Sequence, residues 1–387
     1  MVKFVYILVS NENDFYYEQA LVSILSLKYH NPDAYITLIV DDQTMGSLKG
    51  NRSRILELAN ELKVEYLNQN LSLKIRSRYI KTNMRNIVAG DFMYIDSDTV
   101  IVDTLHVEEL DVAIGAVRNT HSALLSQSPS YHTLLYNLNK CGQFDSSEEY
   151  FNGGVLFVKD TIMTRRFFSH WNDLYKKYAL EFGIDADQVS LYVANINYNE
   201  VIEELPGEYN WQIGFDINFL PNAKIIHLLT TAHSNFENNI HYFQNFDVLK
   251  MIKNNLLTET EILEKIKKTK SLFNPKARIK CDNFDFNRRA AEIREFAINK
   301  ELYLFCMDKL DVVAIYELRK SIEIRGIITI DSTFSEHYNV DLPYIPIENL
   351  RVRKKGNTGI LVLPIRADIN QILSILLSYG FYNIYII

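Results

Sequence analysis

The 387-residue sequence predicts an α/β protein whose first domain is a mostly parallel, Rossmann-like sheet covered by helices. Three observations carry that expectation. Short runs rich in Val, Ile, Phe and Tyr alternate with helical spacings of apolar residues from the start of the chain. The runs are almost continuously apolar, as strands covered on both faces require. Carboxylates stand where two of these runs stop, Asp41-Asp42 and Asp96/Asp98, at the strand ends where open α/β sheets place their ligands.

The elements follow in order. Residues 2–9, "VKFVYILV", read as a first strand. After the polar turn "SNEND", Ala20, Leu21, Ile24, Leu25 and Leu27 recur at helical spacing. "AYITLIVDD" (34–42) is a second strand, "RSRILELANEL" (52–62) a helix and "VEYL" a short strand. "RSRYIKTNMRNIVAG" (76–90) is a helix ending at Gly90, a C-terminal cap, and a strand follows at 92–95. From 247 to 300 the chain turns helical and charged and reads as a connector. A second, small Rossmann-like α/β unit spans 301–387: strand "LYLFCM", helix "VVAIYELRKSI", strands "RGIITID" and "GILVLPI", helix "INQILSILLSYG", strand "NIYII". The expected domains are therefore 1–246, 247–300 and 301–387.

Composition bounds the function. Hydrophobic residues make up 47% and charged residues 23%, ordinary for a globular protein. A net charge of −7 argues against a grip on nucleic acid built from phosphate contacts. Three widely spaced cysteines (Cys141, Cys281, Cys306) form neither a disulfide framework nor a zinc pattern, and suit a reducing compartment. The N-terminal apolar run, Phe4 to Val9, is too short for a signal peptide, and no window approaches a membrane span. The expected location is the cytoplasm.

The chemistry centres on "GDFMYIDSDTVIV". In an extended segment residues i and i+2 share a side, so Asp96 and Asp98 can converge just beyond a strand end. Two unpaired carboxylates held together repel, and a hard divalent cation, Mn²⁺ or Mg²⁺, removes the conflict. An isolated Asp-x-Asp also arises as one turn cap and one solvated acid. Around it, Asn152-Gly153-Gly154 breaks an apolar stretch and lets backbone approach a ligand. Asp187 and Gln188 open an apolar helical pattern, where Asp187 alone reads equally as a helix N-cap. His227 follows a strand-like run and is placed either as a third metal ligand or as a core histidine.

In order and content these pieces resemble glycosyltransferases of the GT-A (nucleotide-diphospho-sugar transferase) fold, most closely glycosyltransferase family 8 and its bacterial relatives. The resemblance runs through "DFYYEQALVSILSL", "RSRYIKTNMR", "YIDSDTVIV", "YFNGGVLFVK", "DADQVSL" and "AKIIH", over residues 2–230. It implies sugar transfer from a UDP-sugar, with retention, to a saccharide or glycoconjugate acceptor, for a bacterial surface polysaccharide. It implies Asp96, Asp98 and His227 as ligands of Mn²⁺ or Mg²⁺ against the diphosphate. Val9, Ser10 and Tyr16 would hold base and ribose. Lys81, Arg85, Ser97, Asn152 and Gly153 would face the donor, and Asp187 and Gln188 the reacting sugar. One departure is plain: the family's His-x-x-Gly-x-Lys-Pro-Trp is here His227-Leu-Leu-Thr-Thr-Ala-His233.

Other classes are weighed by what they need. A sugar nucleotidyltransferase needs a glycine-rich basic loop after the first strand, and "LVSNENDFYY" has none. A non-catalytic nucleotide-sugar-binding scaffold has no reason to keep these carboxylates together. In the C-terminal unit the first turn reads Cys306-Met307-Asp308-Lys309, without the Gly-x-Gly a dinucleotide needs. Its expected role is docking to a partner or homo-oligomer formation, outside the chemistry.

Overall fold

The computed structural model describes residues 2–68, 70–122, 124–128, 130–144, 146–215, 219–220, 222–229, 240–272, 293–305, 319, 322–330, 342–350, 357–362 and 369–386. The chain divides into two compact units, residues 1–213 with 219–272 and residues 214–218 with 273–387.

In the first unit the alternation of apolar runs becomes strand β1 (Lys3–Leu8), helix α1 (Tyr16–His30), β2 (Ile36–Asp41), α2 (Asp42–Ser47), α3 (Arg54–Leu58) and β3 (Glu61–Glu65). There follow α4 (Leu73–Ile87), β4 (Phe92–Ile95), β5 (Thr99–Ile101), β6 (Ile114–Arg118), α5 (Tyr131–Lys140) and β7 (Phe151–Val158). The series continues with α6 (Ile162–Phe182), α7 (Asp187–Asn197), β8 (Ile202–Glu204), β9 (Trp211–Gln212), β10 (Ile225–His227), α8 (Phe246–Lys253) and α9 (Glu259–Lys267). A seven-stranded sheet has the order β3-β2-β1-β4-β7-β6-β8. Its β3-β2-β1-β4 half is parallel, and β7 then runs antiparallel to both β4 and β6. A small sheet, β5-β10-β9, stands beside it.

Strand period places the core on both faces. On β1, Phe4, Tyr6 and Leu8 join a cluster with Ala20, Ile24 and Leu27 of α1. Val5, Ile7 and Val9 point the other way, to Ile80 and Met84 of α4 and Phe167, Phe168 and Trp171 of α6. On β4 the same alternation sends Met93 and Ile95 to the first face and Phe92 and Tyr94 to the second. That parity matters, because it aims the residue after Ile95 at α4.

The helix expected over 52–62 is shorter. It stops at Leu58 because Asn60 binds β2: its N–H donates to Ile36 O at 2.8 Å and its Oδ1 accepts from Ile36 N at 2.9 Å. Asn60 thereby starts β3, which takes up Glu61–Glu65. Helix α6 begins with a capping box between Thr161 and Thr164 and ends at Gly183, whose φ of 61° a side chain resists. The helices that open the expected connector, α8 and α9, lie within the first unit. Their buried residues Leu249, Ile252, Ile262 and Ile266 show why: an amphipathic pair needs a core to cover.

The second unit carries five parallel strands, β11 (Glu301–Phe305), β12 (Ile324–Thr329), β13 (Tyr344–Pro346), β14 (Thr358–Val362) and β15 (Ile384–Ile386). Their order, β13-β12-β11-β14-β15, is that of a doubly wound sheet. Strand β13 lies in a stretch to which the sequence reading assigned no element; "PYIPI" carries two prolines, which an edge strand tolerates. The turn Cys306–Lys309, the helix expected over 312–322 in nearly all its length, and Cys281 lie outside the described residues. No helix among the described residues is long and apolar enough to cross a membrane.

One buried group outside the site makes stability depend on pH. His241 is 1% exposed, and its Nε2 lies 3.0 Å from Thr269 O. Burial pushes its pKa down to about 4, against a smaller upward pull from that carbonyl. The unfolded chain takes up this proton near pH 6.5 and the folded chain only near 4, so stability is full above 6.5 and falls as pH drops through that window. The gap corresponds to about 3 kcal/mol. A His241→Gln variant should therefore lose less stability than the parent between pH 7 and 4.5 in urea melts. Equal slopes for the two would remove His241 as the cause.

Candidate active site

The site forms where the two sheets of the first unit meet. Strand β4 belongs to the large sheet and β5 to the small one, and residues 96–98 are the crossing between them. Ser97 and Asp98 form a turn there, not the extended continuation expected from the sequence. Thr99 Oγ1 closes the turn by donating to Asp96 O at 2.9 Å. Asp96 and Asp98 still converge, because the turn folds them together. Strand β10 completes the site: its antiparallel pairing with β5 sets His227 opposite Thr99, and Leu228 N donates to Asp98 O at 2.8 Å. One ligand atom each from Asp96, Asp98 and His227 lies within 4.8 Å of the others.

This donor set suits a divalent cation. Two carboxylates and one imidazole nitrogen match Mn²⁺ or Mg²⁺ in hardness, with the nitrogen favouring Mn²⁺. The imidazole is oriented from behind. His227 Nδ1 sits 3.0 Å from Asn210 Oδ1, an acceptor, which puts the ring proton on Nδ1 and leaves Nε2 to face Asp98 at 3.3 Å. Burial pulls the His227 pKa down, but Asp98 and, more weakly, Asp96 outweigh it and raise the value.

Gly154 makes room for this ring. A Cβ there would stand 2.2 Å from His227 Cε1 and 2.7 Å from Nδ1. Gly154→Ala should thus displace the imidazole and weaken Mn²⁺ binding by about 10–100-fold, the range seen when a ligand loses its orientation. Calorimetric titration with Mn²⁺ reads this directly; an unchanged affinity would show that His227 is not a ligand.

Behind the carboxylates stands a charged cluster. Lys81 Nζ lies 3.3 Å from Asp96 Oδ2 and 3.0 Å from Asp187 Oδ2, and Arg78 Nε lies 2.9 Å from Asp187 Oδ1. Tyr94 donates its hydroxyl to Asp96 Oδ1. Burial disfavours the Asp187 charge, yet Lys81 and Arg78 together hold its carboxyl well below the usual range. Asp187 is the first residue of α7 and not its cap: the N-cap is Ala186, which offers no side-chain bond. The plain helix-cap reading of Asp187 therefore fails. Three carboxylates, Asp96, Asp98 and Asp187, gather here around Lys81, Arg78 and His227.

A relay of amides joins the two halves. Gln188 Nε2 donates to Asn119 Oδ1 at 3.0 Å, and Asn152 Nδ2 donates to the same oxygen at 3.2 Å. Asn152 Oδ1 accepts from Gly154 N at 2.9 Å and from Asn210 Nδ2 at 3.0 Å, and Asn210 in turn holds His227. Gly153 lies against the Lys81–Asp187 pair, where a Cβ would be 3.6 Å from each charged atom.

The turn after β1 is preformed. Parallel pairing of Val5 with Tyr94 carries Val9 and Ser10 alongside and just past the end of β4. Ser10 N donates to Thr44 Oγ1 at 2.9 Å and Ser10 Oγ to Asp14 Oδ1 at 2.6 Å. Asp14 also accepts from Asn11 N at 2.8 Å and Tyr16 N at 3.1 Å, which fixes the start of α1. Ser97 Oγ donates to Ile7 O at 3.2 Å, tying this turn to the crossing between the sheets. Ser97 thus holds backbone in this structure. Asp41 is likewise structural: it caps α2 through Thr44 N at 2.8 Å and pairs with buried Arg76.

Arg85 is not brought to the site. Helix α4 links β3 to the parallel β4, so it runs back against both strands. Arg85, in its last turn, lies at the start of β4, where it donates to Val88 O and, at 2.7 Å, to Gly90 O. The strand's other end is ~13 Å away at 3.3 Å per residue. The helical turn that reaches the site is the preceding one, and the basic residue it supplies is Arg78. The direction of α4 was the available signal: residue 81 minus three faces the carboxyl end, and 81 plus four leaves it. Asn119 and Asn210 carried no such signal, because lone asparagines in loops are common.

No family model matches the chain, and no curated protein does. Solved structures do. Mouse xyloside xylosyltransferase 1 is similar at 15% identity over 60% of this chain and 99% of its own, with a TM-score of 0.39. The galactosyltransferase LgtC, in complex with donor and acceptor sugar analogs, is similar at 14% identity over 68% of this chain and 100% of its own, with a TM-score of 0.44. The glycosyltransferase GlyE of Streptococcus pneumoniae is similar at 15% identity over 98% of this chain and 100% of its own, with a TM-score of 0.44. The chemistry of the site stands on the distances above.

Proposed function

We propose that this chain is a metal-dependent glycosyltransferase of GT-A type. It takes a UDP-sugar and passes the sugar, with retention, to a saccharide or glycoconjugate acceptor, in the cytoplasm, for a bacterial surface polysaccharide. The observation that carries the reading is the meeting of Asp96, Asp98 and His227 at the carboxyl end of the parallel half-sheet, backed by Lys81, Arg78 and Asp187. Ligands of such sheets bind at that end.

Asp96, Asp98 and His227 would hold Mn²⁺ or Mg²⁺, which when bound stabilises the charge that builds on a departing diphosphate. The chain's own residues do the rest. The Ser10–Asp14 turn, fixed by Asp14, offers a rigid edge for base and ribose. Lys81 and Arg78 are held in place by Asp187, so they point basic groups at the position where a phosphate or sugar oxygen gains electron density. Gln188 and Asn152, anchored on Asn119, present amides to sugar hydroxyls without reorganising. The C-terminal unit takes no part in this chemistry and serves docking or self-association.

The test is donor hydrolysis by the full chain across UDP- and GDP-sugars, with Mn²⁺ and with EDTA. Metal-dependent release of UDP supports the proposal. Metal-dependent UDP binding with no turnover on any donor or acceptor would make the protein a nucleotide-sugar binder, and metal-independent release would overturn the assigned site.

A further inference from the structure

One turn beside the site is held in a conformation that its residues resist. Strand β6 ends at Arg118, and Asn119–His121 follow as a tight turn in which Thr120 has φ 56° and ψ 20° and His121 has φ 55°. Left-handed backbone suits glycine. A Cβ crowds the following carbonyl there, and the branched Cβ of threonine does so most. Two such residues in succession, 4% and 8% exposed, persist only where their surroundings impose the conformation.

What imposes it is Gln212, 1% exposed, on β9. Its Oε1 accepts from Thr120 N at 2.7 Å and its Nε2 donates to Arg118 O at 2.8 Å. Its own backbone N donates to His121 Nε2 at 3.1 Å. One residue therefore grips the turn at its entry, its middle and its end. From inside the turn, the Thr120 hydroxyl donates to Asn119 O at 2.7 Å.

The turn matters through Asn119. Its Oδ1 accepts from both Gln188 and Asn152, its Nδ2 donates to Ser130 Oγ at 3.2 Å, and its backbone N donates to Tyr150 O at 2.7 Å. Asn119 is the common anchor of the two amides, and the left-handed residues after it set the path by which the chain leaves it. Gln212 also stands in register with His227 across the parallel β9–β10 pair, and Ile213 N donates to His227 O at 2.9 Å. The strand that carries Gln212 is thus bonded to the strand of the candidate metal ligand, while its side chain is bonded to the turn of the amides.

We propose that Gln212 is a positioning residue. It holds residues 118–121 in the strained turn, and through Asn119 it sets Gln188 and Asn152 in fixed relation to His227. The inference rests on the transfer reading above and adds to it a residue that touches neither sugar nor metal. Asn210 orients the His227 ring separately, so loss of the Gln212 side-chain bonds should reach the sugar-facing amides and spare the metal ligands.

The test is Gln212→Met in the full chain, which keeps the length of the side chain and removes both of its hydrogen bonds. Parent and variant are compared on whichever of UDP-glucose, UDP-galactose, UDP-xylose and UDP-N-acetylglucosamine the parent hydrolyses. The variant's kcat should fall about 10–100-fold, as expected when reacting groups are misplaced by a fraction of an ångström to an ångström. Calorimetric affinities for Mn²⁺, and for UDP in Mn²⁺, should stay within about threefold. Gln212→Asn keeps an amide but is one methylene short of its partners; it should show the same split, and serves if Gln212→Met fails to fold. Unchanged kcat in both variants would overturn the proposal. So would a joint fall in kcat, Mn²⁺ affinity and UDP affinity, or failure of both variants to fold, because Gln212 would then be a prop of the fold alone. If the parent hydrolyses none of the donors, the transfer reading itself fails and takes this inference with it. Hydrolysis by the parent without the split in the variants fails the inference only.

Discussion

Asp98→Ala is expected to abolish metal-dependent donor binding while the protein stays folded. Asp98 is one of the three groups whose ligand atoms lie within 4.8 Å, and it faces His227 Nε2 at 3.3 Å. Its loss removes a ligand outright, and should exceed the roughly 10–100-fold cost of disturbing an outer shell. Calorimetry of UDP in Mn²⁺ is the measurement, and unchanged UDP affinity would sink the assignment. The metal-free protein needs separate treatment. From the sequence alone, two adjacent carboxylates repel, and removing one relieves the strain. In the structure neither is alone: Lys81 stands by Asp96 and His227 by Asp98. The variant should accordingly melt slightly lower, not higher. With Asp98 side chain 17% exposed, about 1 kcal/mol is at stake, or roughly 2–4 °C.

The fold and the metal cluster were legible for one physical reason, and the surrounding shell was not for another. Strands buried on both faces must be almost wholly apolar, so polar residues that interrupt or end such runs stand out: Asp96, Asp98, Asn152 and His227 were all visible this way. Asn210 and Asn119, which hold the shell together, come from loops where polar residues are the rule and carry no contrast. Arg85 was misplaced because i and i+4 share a helix face wherever the helix lies. Which end of that face meets the site depends on the strand order, a property of the whole sheet. The turn at Ser97-Asp98 directs the Ser97 hydroxyl to Ile7 O, a bond that no sequence pattern announces. The extended geometry assumed for Asp96 and Asp98 reached the right meeting point by a wrong route.

The other large effect is expected at Asp187. Asp187→Asn should lower kcat by about two orders of magnitude or more, with less than about threefold change in affinity for UDP. The carboxylate sits behind the cluster, 2.9 Å from Arg78 and 3.0 Å from Lys81, and takes no part in the hydrogen bonds that fix the Ser10–Asp14 turn proposed to hold the base. Its role in turnover is therefore electrostatic and positional: it fixes two cations, of which Lys81 also contacts Asp96 at 3.3 Å. Removing its charge leaves those cations facing each other across a site where Lys81 is 3% exposed. That should cost stability as well, about 2–4 kcal/mol, less than a fully dry pair because Arg78 reaches solvent. Thermal melts must accompany the kinetics, with turnover measured well below the variant's melting point. Two results carry different meanings. Near wild-type kcat in a destabilised protein would make Asp187 a structural anchor for Lys81 and nothing more. Parallel losses in kcat and UDP affinity would mean that Lys81, freed from Asp187, moves onto Asp96 and competes with the metal for it.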